Sequence, residues 1–254
     1  MESDSLWNTL DLLWDADASR AASGDDYQTV SPTLSIEPSD QLSLDSDAVT
    51  AEPTLLGYSA SMPDSGPSPV LTVGDPVGDT NFWHEQEAMQ SCAVAAQRGV
   101  IEAVTGQCIS EQQLATYAYQ NGWYDPGTGT HPMAVGNLLE ACNIPVERSF
   151  DNKLETIYDA LLRGERVIVG LDANEINHCA VDHLGQPLEL PDAGHAVWVT
   201  GIEIDAQGGV QVVLNDPGHP GGCGARVPVA HFENAWDDFG HFAVVTQTQE
   251  VAVG

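Results

Sequence analysis

The chain has 254 residues, with 7 Lys and Arg against 38 Asp and Glu and a formal net charge of -31. Such an anionic surface repels nucleic-acid phosphates and anionic lipid headgroups, and it has few cations with which to release counterions. No apolar run approaches the roughly 20 residues that cross a bilayer, and the five cysteines include no CxxC pair, so a membrane span, a zinc ribbon and a disulfide framework are excluded.

The opening residues, Met1 to Ser5, lack the basic and apolar regions of a secretory signal, so the expected location is the cytoplasm, with an unrecognised export route left open. Leu6, Trp7, Leu10, Leu13 and Trp14 then form one stripe of a short amphipathic helix within residues 1–17. Its segment 3–14 could dock on its own domain or on a partner. Residues 18–79 are acidic and rich in Ser, Asp and Pro, with no sustained period. Such a stretch buries too little apolar surface to offset its ordering entropy. A compact domain is expected over residues 80–254.

Within that domain Ser91 predicts the N-cap of a helix from Cys92 to about Val104, stopped by Gly106. Ser110 and Gln113 form a capping-box pattern ahead of Leu114, Tyr117 and Ala118. A third helix is expected from Pro132 to Cys142. A fourth, capped by Asp151 or Asn152, carries Leu154, Ile157, Tyr158, Leu161 and Leu162 and closes at Gly164. The period then changes. Arg166 to Leu171, His195 to Ile204, Val210 to Asn215 and Phe242 to Thr246 read as strands, with a short helix from Val229 to Trp236 before the last. Helices first and strands second predict an α+β fold, with N-terminal helices packed on an antiparallel sheet.

Three segments carry chemistry on this scaffold. Ser91-Cys92 places a thiol at a helix start, where exposed N-H groups and the helix dipole favour the nucleophilic thiolate. Gln86, six residues earlier, could offer an amide N-H to an oxyanion. Gly194-His195 opens a strand, and Asn215-Asp216-Pro217 ends the next one, so a hairpin would set an acid or amide beside the imidazole. Successive strand residues face opposite ways, which leaves either Asp216 or Asn215 as the partner.

Gln86, Cys92, Gly194-His195-Ala196-Val197 and Asn215-Asp216-Pro217 resemble the motifs of a papain-like cysteine peptidase. More narrowly they are similar to the bacteriocin-processing double-glycine peptidase family and its bacterial relatives, over about residues 80 to 248. That resemblance implies a papain-like fold, with Cys92 as nucleophile, His195 as base and acid, Asp216 as orienting residue with Asn215 as the alternative, and Gln86 as oxyanion donor. It also likens the helix bearing Phe232 and Trp236 to the terminal helix of those relatives. One departure is Ala93-Val94 after the cysteine, where the processing peptidases carry glycine. No ATP-binding cassette accompanies the motifs. The expected activity is hydrolysis of peptide or isopeptide amides through an acyl-enzyme. Deamidation or acyl transfer on the same fold, and a catalytically silent binding module, are the alternatives.

The expected substrate is a peptide or protein, basic ones being favoured by the acidic surface. Neither nucleic acid nor membrane is expected as a partner, and no cofactor or metal is expected. His178, Cys179, His183, His219 and Cys223 have a spacing compatible with zinc only in part. Cys108, Cys142 and Cys179 read as small packing residues. Gly218 to Gly224 reads as a flexible loop at the cleft rim, and Trp83, Trp123 and Tyr124 as groove or core aromatics.

Overall fold

The structure is a computed structural model and describes residues 71–247. The amphipathic helix expected within 1–17 and the acidic segment as far as residue 70 lie outside the described residues. The sheet opens upstream of the boundary expected at residue 80. Strand β1 (Leu71–Gly74) pairs antiparallel with the far end of β6 (Gly194–Ile204), Leu71 opposite Ile204 and Gly74 opposite Gly201. A bulge at Thr200 makes this junction. It interrupts the β6 register between Val199 and Gly201, and the Thr200 carbonyl accepts the Asp75 N-H at 3.1 Å. Gly74, at φ 87°, leaves room for that carbonyl where a Cβ would meet it.

After the short helix α1 (Pro76–Asp79), α2 spans Cys92–Thr105 and ends on left-handed Gly106, and α3 spans Glu111–Gln120. Both bonds of the Ser110–Gln113 capping box are present. The ribbon β2 (Tyr124–Asp125) and β3 (Gly129–Thr130) follows. The expected third helix is broken in two. A 3-10 turn (Pro132–Ala134) precedes α4 (Asn137–Ala141), because Gly136 at φ 96° interrupts the helical ladder. Buried Gln97 holds the break, its Oε1 accepting the N-H groups of Gly136 and Leu138 at 2.8 and 3.2 Å.

Strand β4 (Val146–Ser149) leads to α5 (Leu154–Leu162), whose N-cap is Lys153. Asp151 is left-handed at φ 54°, and Asn152 donates to the His241 carbonyl, so neither expected residue caps. Strand β5 (Val167–Asp172), α6 (Ala173–His178), β6, β7 (Val210–Asn215), β8 (Ala225–Pro228), α7 (Val229–Asp237) and β9 (Ala243–Thr246) complete the domain. The seven-stranded sheet has the order β4-β9-β5-β6-β7-β8 with β1 on β6, and every pairing is antiparallel. The fold is α+β, helices on an antiparallel sheet, as the order of elements predicts.

Strand alternation sends side chains to two cores. Ile168, Ala196, Trp198 and Val244 pack with α2, α3 and α4 residues such as Val100, Leu114 and Leu139. Val167, Val169, Leu171, Val197 and Leu214 pack on the other face with Ile157 of α5 and Phe232 and Trp236 of α7. Helices therefore cover both faces. Full burial of one such side chain contributes about 1.5–3 kcal/mol, so Trp236 and Phe232 act as anchors for α7. Among the described residues no helix is long and apolar enough to cross a membrane.

Candidate active site

Cys92 is the first residue of α2, a 14-residue helix whose N-terminal N-H groups have no intrahelical acceptors. Ser91 stands at the cap position but does not cap. Its hydroxyl donates to Glu111 Oε1 at 2.5 Å, and the Glu111 carboxylate also accepts the Glu87 N-H at 3.0 and 3.1 Å. Glu111 is 2% exposed, so a buried acid from the start of α3 fixes the loop that delivers the cysteine. In the sequence it looks like an ordinary helix-start acid, and nothing local marks this long-range role.

His195 is the second residue of β6, and Asp216 follows β7. The β6–β7 register, Trp198 opposite Asn215, brings the two side chains together, His195 Nε2 to Asp216 Oδ1 at 2.5 Å. Nδ1 is thereby left for the thiol. Asn215 is engaged elsewhere: its amide donates to the Asp79 carbonyl at 2.8 Å and accepts the Gly224 N-H at 3.3 Å. Asp216 is held from three sides. Gly218 N-H donates to Oδ1 at 2.7 Å, Trp83 Nε1 donates to its carbonyl at 2.6 Å, and its own N-H donates to the Gly222 carbonyl at 2.9 Å. The 218–224 segment is thus pinned, because Gly218 and Gly222 allow the backbone to fold back against the acid. A Cβ on Gly218 would lie 2.9 Å from the His195 ring.

The electrostatics are mutually supporting. Burial pushes the Cys92 thiol up, yet the hydrogen bond and charge of His195, with the backbone at Ala196 and Ala93, leave it below the ordinary thiol range. Burial opposes charge on His195, but the bonds to Asp216 and Cys92 push its pKa up to about 10. Asp216, also opposed by burial, is held below the usual carboxylate range chiefly by His195. These directions favour a thiolate, an imidazolium and a carboxylate in a row, which is the arrangement that stores a nucleophile and a proton donor side by side.

Gln86 is brought to this region through its backbone, its N-H donating to the Pro217 carbonyl at 2.9 Å. Its side-chain nitrogen donates to the Ala88 and Met89 carbonyls at 2.7 and 2.9 Å. Both amide hydrogens are then in use, so an oxyanion must displace one of them. A cavity of about 220 Å³ opens beside Cys92 and His195, with Val135, Val169, Phe239 and Phe242 among its walls and Gln90 and Thr130 at its polar edge. Trp83, Trp123 and Tyr124 do not line it: Trp83 serves Asp216, Trp123 packs edge-on against Tyr117, and Tyr124 is in the core.

Three of the residues weighed for zinc have separate partners. Cys179 Sγ donates to Ile176 O, Cys223 Sγ to Thr80 O, and His219 Nδ1 accepts the Gly221 N-H. Among the described residues, the groups of three with ligand atoms close together are Asp172, Asp192 and Asp238, and Glu175, Glu189 and Asp238. Cys142 is buried and Cys179 half-buried, but Cys108, expected to pack, is exposed with its thiol on Glu102 Oε1 at 2.9 Å.

No protein-family model matches the chain. An uncharacterized protein of Mycobacterium bovis, and uncharacterized proteins of two Mycobacterium tuberculosis strains, are 28% identical over 205 residues, covering 68% of this chain and 83% of theirs. Among solved structures, a C39-like peptidase from Bacillus anthracis matches 70% of this chain and 98% of its own, at 14% identity and a TM-score of 0.49. Recombinant stem bromelain precursor matches 70% of each chain at 13% identity and a TM-score of 0.39. Both are likenesses of chain path at low identity and carry no residue role or activity to this protein.

Proposed function

We propose that this protein is a thiol hydrolase that cleaves peptide or isopeptide amide bonds through an acyl-enzyme. The observation that carries the reading is His195, bonded by Nε2 to buried Asp216 and lining one cavity with the Cys92 thiol at a helix N-terminus, whose pKa it lowers. The Cys92 thiolate attacks the carbonyl carbon, and the Cys92 N-H, with a Gln86 N-H released from its loop carbonyls, receives the developing oxyanion. His195 gives its proton to the departing amine as the C–N bond breaks, leaving a thioester. Water then adds to the thioester with His195 as base, the C–S bond breaks, and the acid product leaves with the thiolate and imidazolium restored. Asp216 keeps the imidazole oriented and supports its charge throughout. The net charge of -31 supports steering of neutral and basic polypeptides over acidic ones.

The test is incubation of the full chain with a degenerate peptide pool and mass spectrometry of the products, with Cys92→Ala alongside. New peptide termini that disappear in the variant support hydrolysis. A mass change without scission identifies deamidation or transfer, and no change with either chain rejects the enzyme reading.

A further inference from the structure

The Asp216 carboxylate faces two histidines, one from each oxygen. His195 Nε2 and the Gly218 N-H both bond Oδ1, at 2.5 and 2.7 Å, while His219 Nε2 stands 3.8 Å from Oδ2. The Asp216 side chain is 2% exposed, so solvent has little access to compete for that second oxygen. Local sequence places the second ring. His219-Pro220-Gly221-Gly222 is a turn closed by the Gly222 N-H on the His219 carbonyl at 2.9 Å, with proline and glycine at its two central positions. The Gly222 carbonyl accepts the Asp216 N-H, also at 2.9 Å, so the turn is tied to the acid that it faces. Gly221 lets the ring lie against the backbone: its N-H donates to His219 Nδ1 at 3.0 Å, and a Cβ there would stand 3.2 Å from Cε1. With Nδ1 as acceptor, the ring hydrogen sits on Nε2, the nitrogen turned to Asp216.

We propose that His219 is a positioning residue for the hydrolysis, its Nε2-H sharing the Asp216 carboxylate with His195 and keeping the His195 proton transferable. The inference rests on the thiol-hydrolase reading of the site. A carboxylate that serves one imidazole alone turns its whole charge on that ring and holds the proton tightly. That suits storage of an imidazolium but not its use as an acid, which works best with a pKa near the operating pH. Here the hold is strong, since the bonds to Asp216 and Cys92 push His195 up to about 10. Attack on a carbonyl consumes the Cys92 thiolate, and Asp216 remains as the anion bonded to the ring. A hydrogen directed at Oδ2 draws off part of its charge, so the proton passes more readily to the departing amine. His219 acts on Asp216 in that sense, helping to hold it below the usual carboxylate range. The 3.8 Å gap is roughly 0.6 Å longer than a bond, and bonds of this kind tighten as the reaction proceeds. The titratable groups that act on the His195–Asp216 pair are Cys92 from α2 and His219 from the turn.

The two ring nitrogens of His219 can be tested apart, because Gln carries an N-H where Nε2 stands and Asn carries an acceptor where Nδ1 stands. The experiment follows the His195 ring by nitrogen NMR against pH in the full chain, and times cleavage of the degenerate peptide pool at neutral pH, for the parent, His219→Asn and His219→Gln. His219→Asn keeps an acceptor for the Gly221 N-H and loses the donor to Asp216. We expect its His195 titration to move up by about 0.5 and its cleavage to slow about threefold. His219→Gln loses the Gly221 bond and keeps the donor, so it should rescue the parent titration and most of the parent rate. The reverse order, with Gln impaired and Asn like the parent, makes His219 a prop of the turn and overturns the inference. A His195 titration that is the same in all three chains, or that shifts equally in both variants, overturns it as well. Each of these outcomes leaves the hydrolase reading standing, whereas a parent chain that cleaves no peptide and labels Cys92 no faster than Cys108 overturns that reading and this inference with it.

Discussion

Replacing Asp216 by Asn tests how much of the site's charge order comes from one oxygen atom. The variant keeps the shape and an acceptor for the Gly218 N-H, but it removes the anion 2.5 Å from His195 Nε2. At that distance, and with an effective dielectric constant of about 20, unit charges attract by roughly 7 kcal/mol. Desolvation offsets much of it, since the two side chains are only 8% and 2% exposed, and removal of one member of such a buried pair costs about 3–5 kcal/mol. At 1.36 kcal/mol per unit of pKa, this lowers the His195 pKa by roughly two to four, from about 10 back toward its ordinary 6.5 or below. Cys92 rises in turn, because the imidazolium that holds it down is lost. The ion pair exists above the Cys92 pKa and below that of His195, so the variant narrows its window from both sides. Thiolate absorbance against pH, parent minus Cys92→Ser, reads this directly. Stability carries the same sign: His195, raised on folding, stabilises the native state fully below pH 6.5, and the contribution is lost as pH rises through about 10. The stability deficit of Asp216→Asn in urea should therefore be largest near pH 6 and shrink as pH rises from 6.5 toward 10. An unchanged thiolate profile would refute the assignment of Asp216 as the source of the shift.

Other consequences concern the residues that frame the site. Gly218→Ala places a Cβ 2.9 Å from the His195 ring and 3.1 Å from Asp216 Oδ1, so peptide hydrolysis should fall at least tenfold while the melting temperature changes little; unimpaired turnover would contradict the close approach. Glu111→Ala leaves the Glu87 N-H without its acceptor and the Ser91 hydroxyl with only the Ala88 carbonyl and should cost about 1–3 kcal/mol by denaturant titration. Asp238 is pushed up to about 6, first by burial and then by the Glu175, Glu189, Asp192 and Asp172 carboxylates. Its favourable contribution, present below pH 3.8, is lost as pH rises through about 6. Asp238→Asn should accordingly melt higher than the parent above pH 6 and equally at pH 3.5, and equal melting at both would reject the repulsion.

Much of the site is legible along the chain because its signals are local. The helix start at Cys92, the stop at Gly106, the Ser110–Gln113 box and the span of β7 each depend on neighbours within a few residues. The choice between Asp216 and Asn215 is not local. It depends on a register that turns Asn215 toward the Asp79 carbonyl and frees Asp216 for the histidine. Strand β1 escapes sequence reading for a similar reason. Leu71–Gly74 is four residues next to a Ser- and Pro-rich tract, and it becomes a strand only because β6 outruns β5 and its Thr200 bulge meets Gly74. Gly136 and Glu111 likewise acquire their roles from partners far along the chain.

The most direct measurement is competitive alkylation of all five thiols in the folded chain at about pH 6.5, two below the ordinary thiol pKa, with site-resolved mass spectrometry. Burial pushes Cys142 up to about 11 and also raises Cys179 and Cys223, while the hydrogen bond to Glu102 raises exposed Cys108. Cys92 alone is lowered among the described cysteines. It should therefore label at least tenfold faster than Cys108 despite being less exposed, and His195→Ala should abolish the advantage. Labelling that follows exposure, with Cys108 first and Cys92 indifferent to His195, would contradict a thiolate–imidazolium pair at the head of α2.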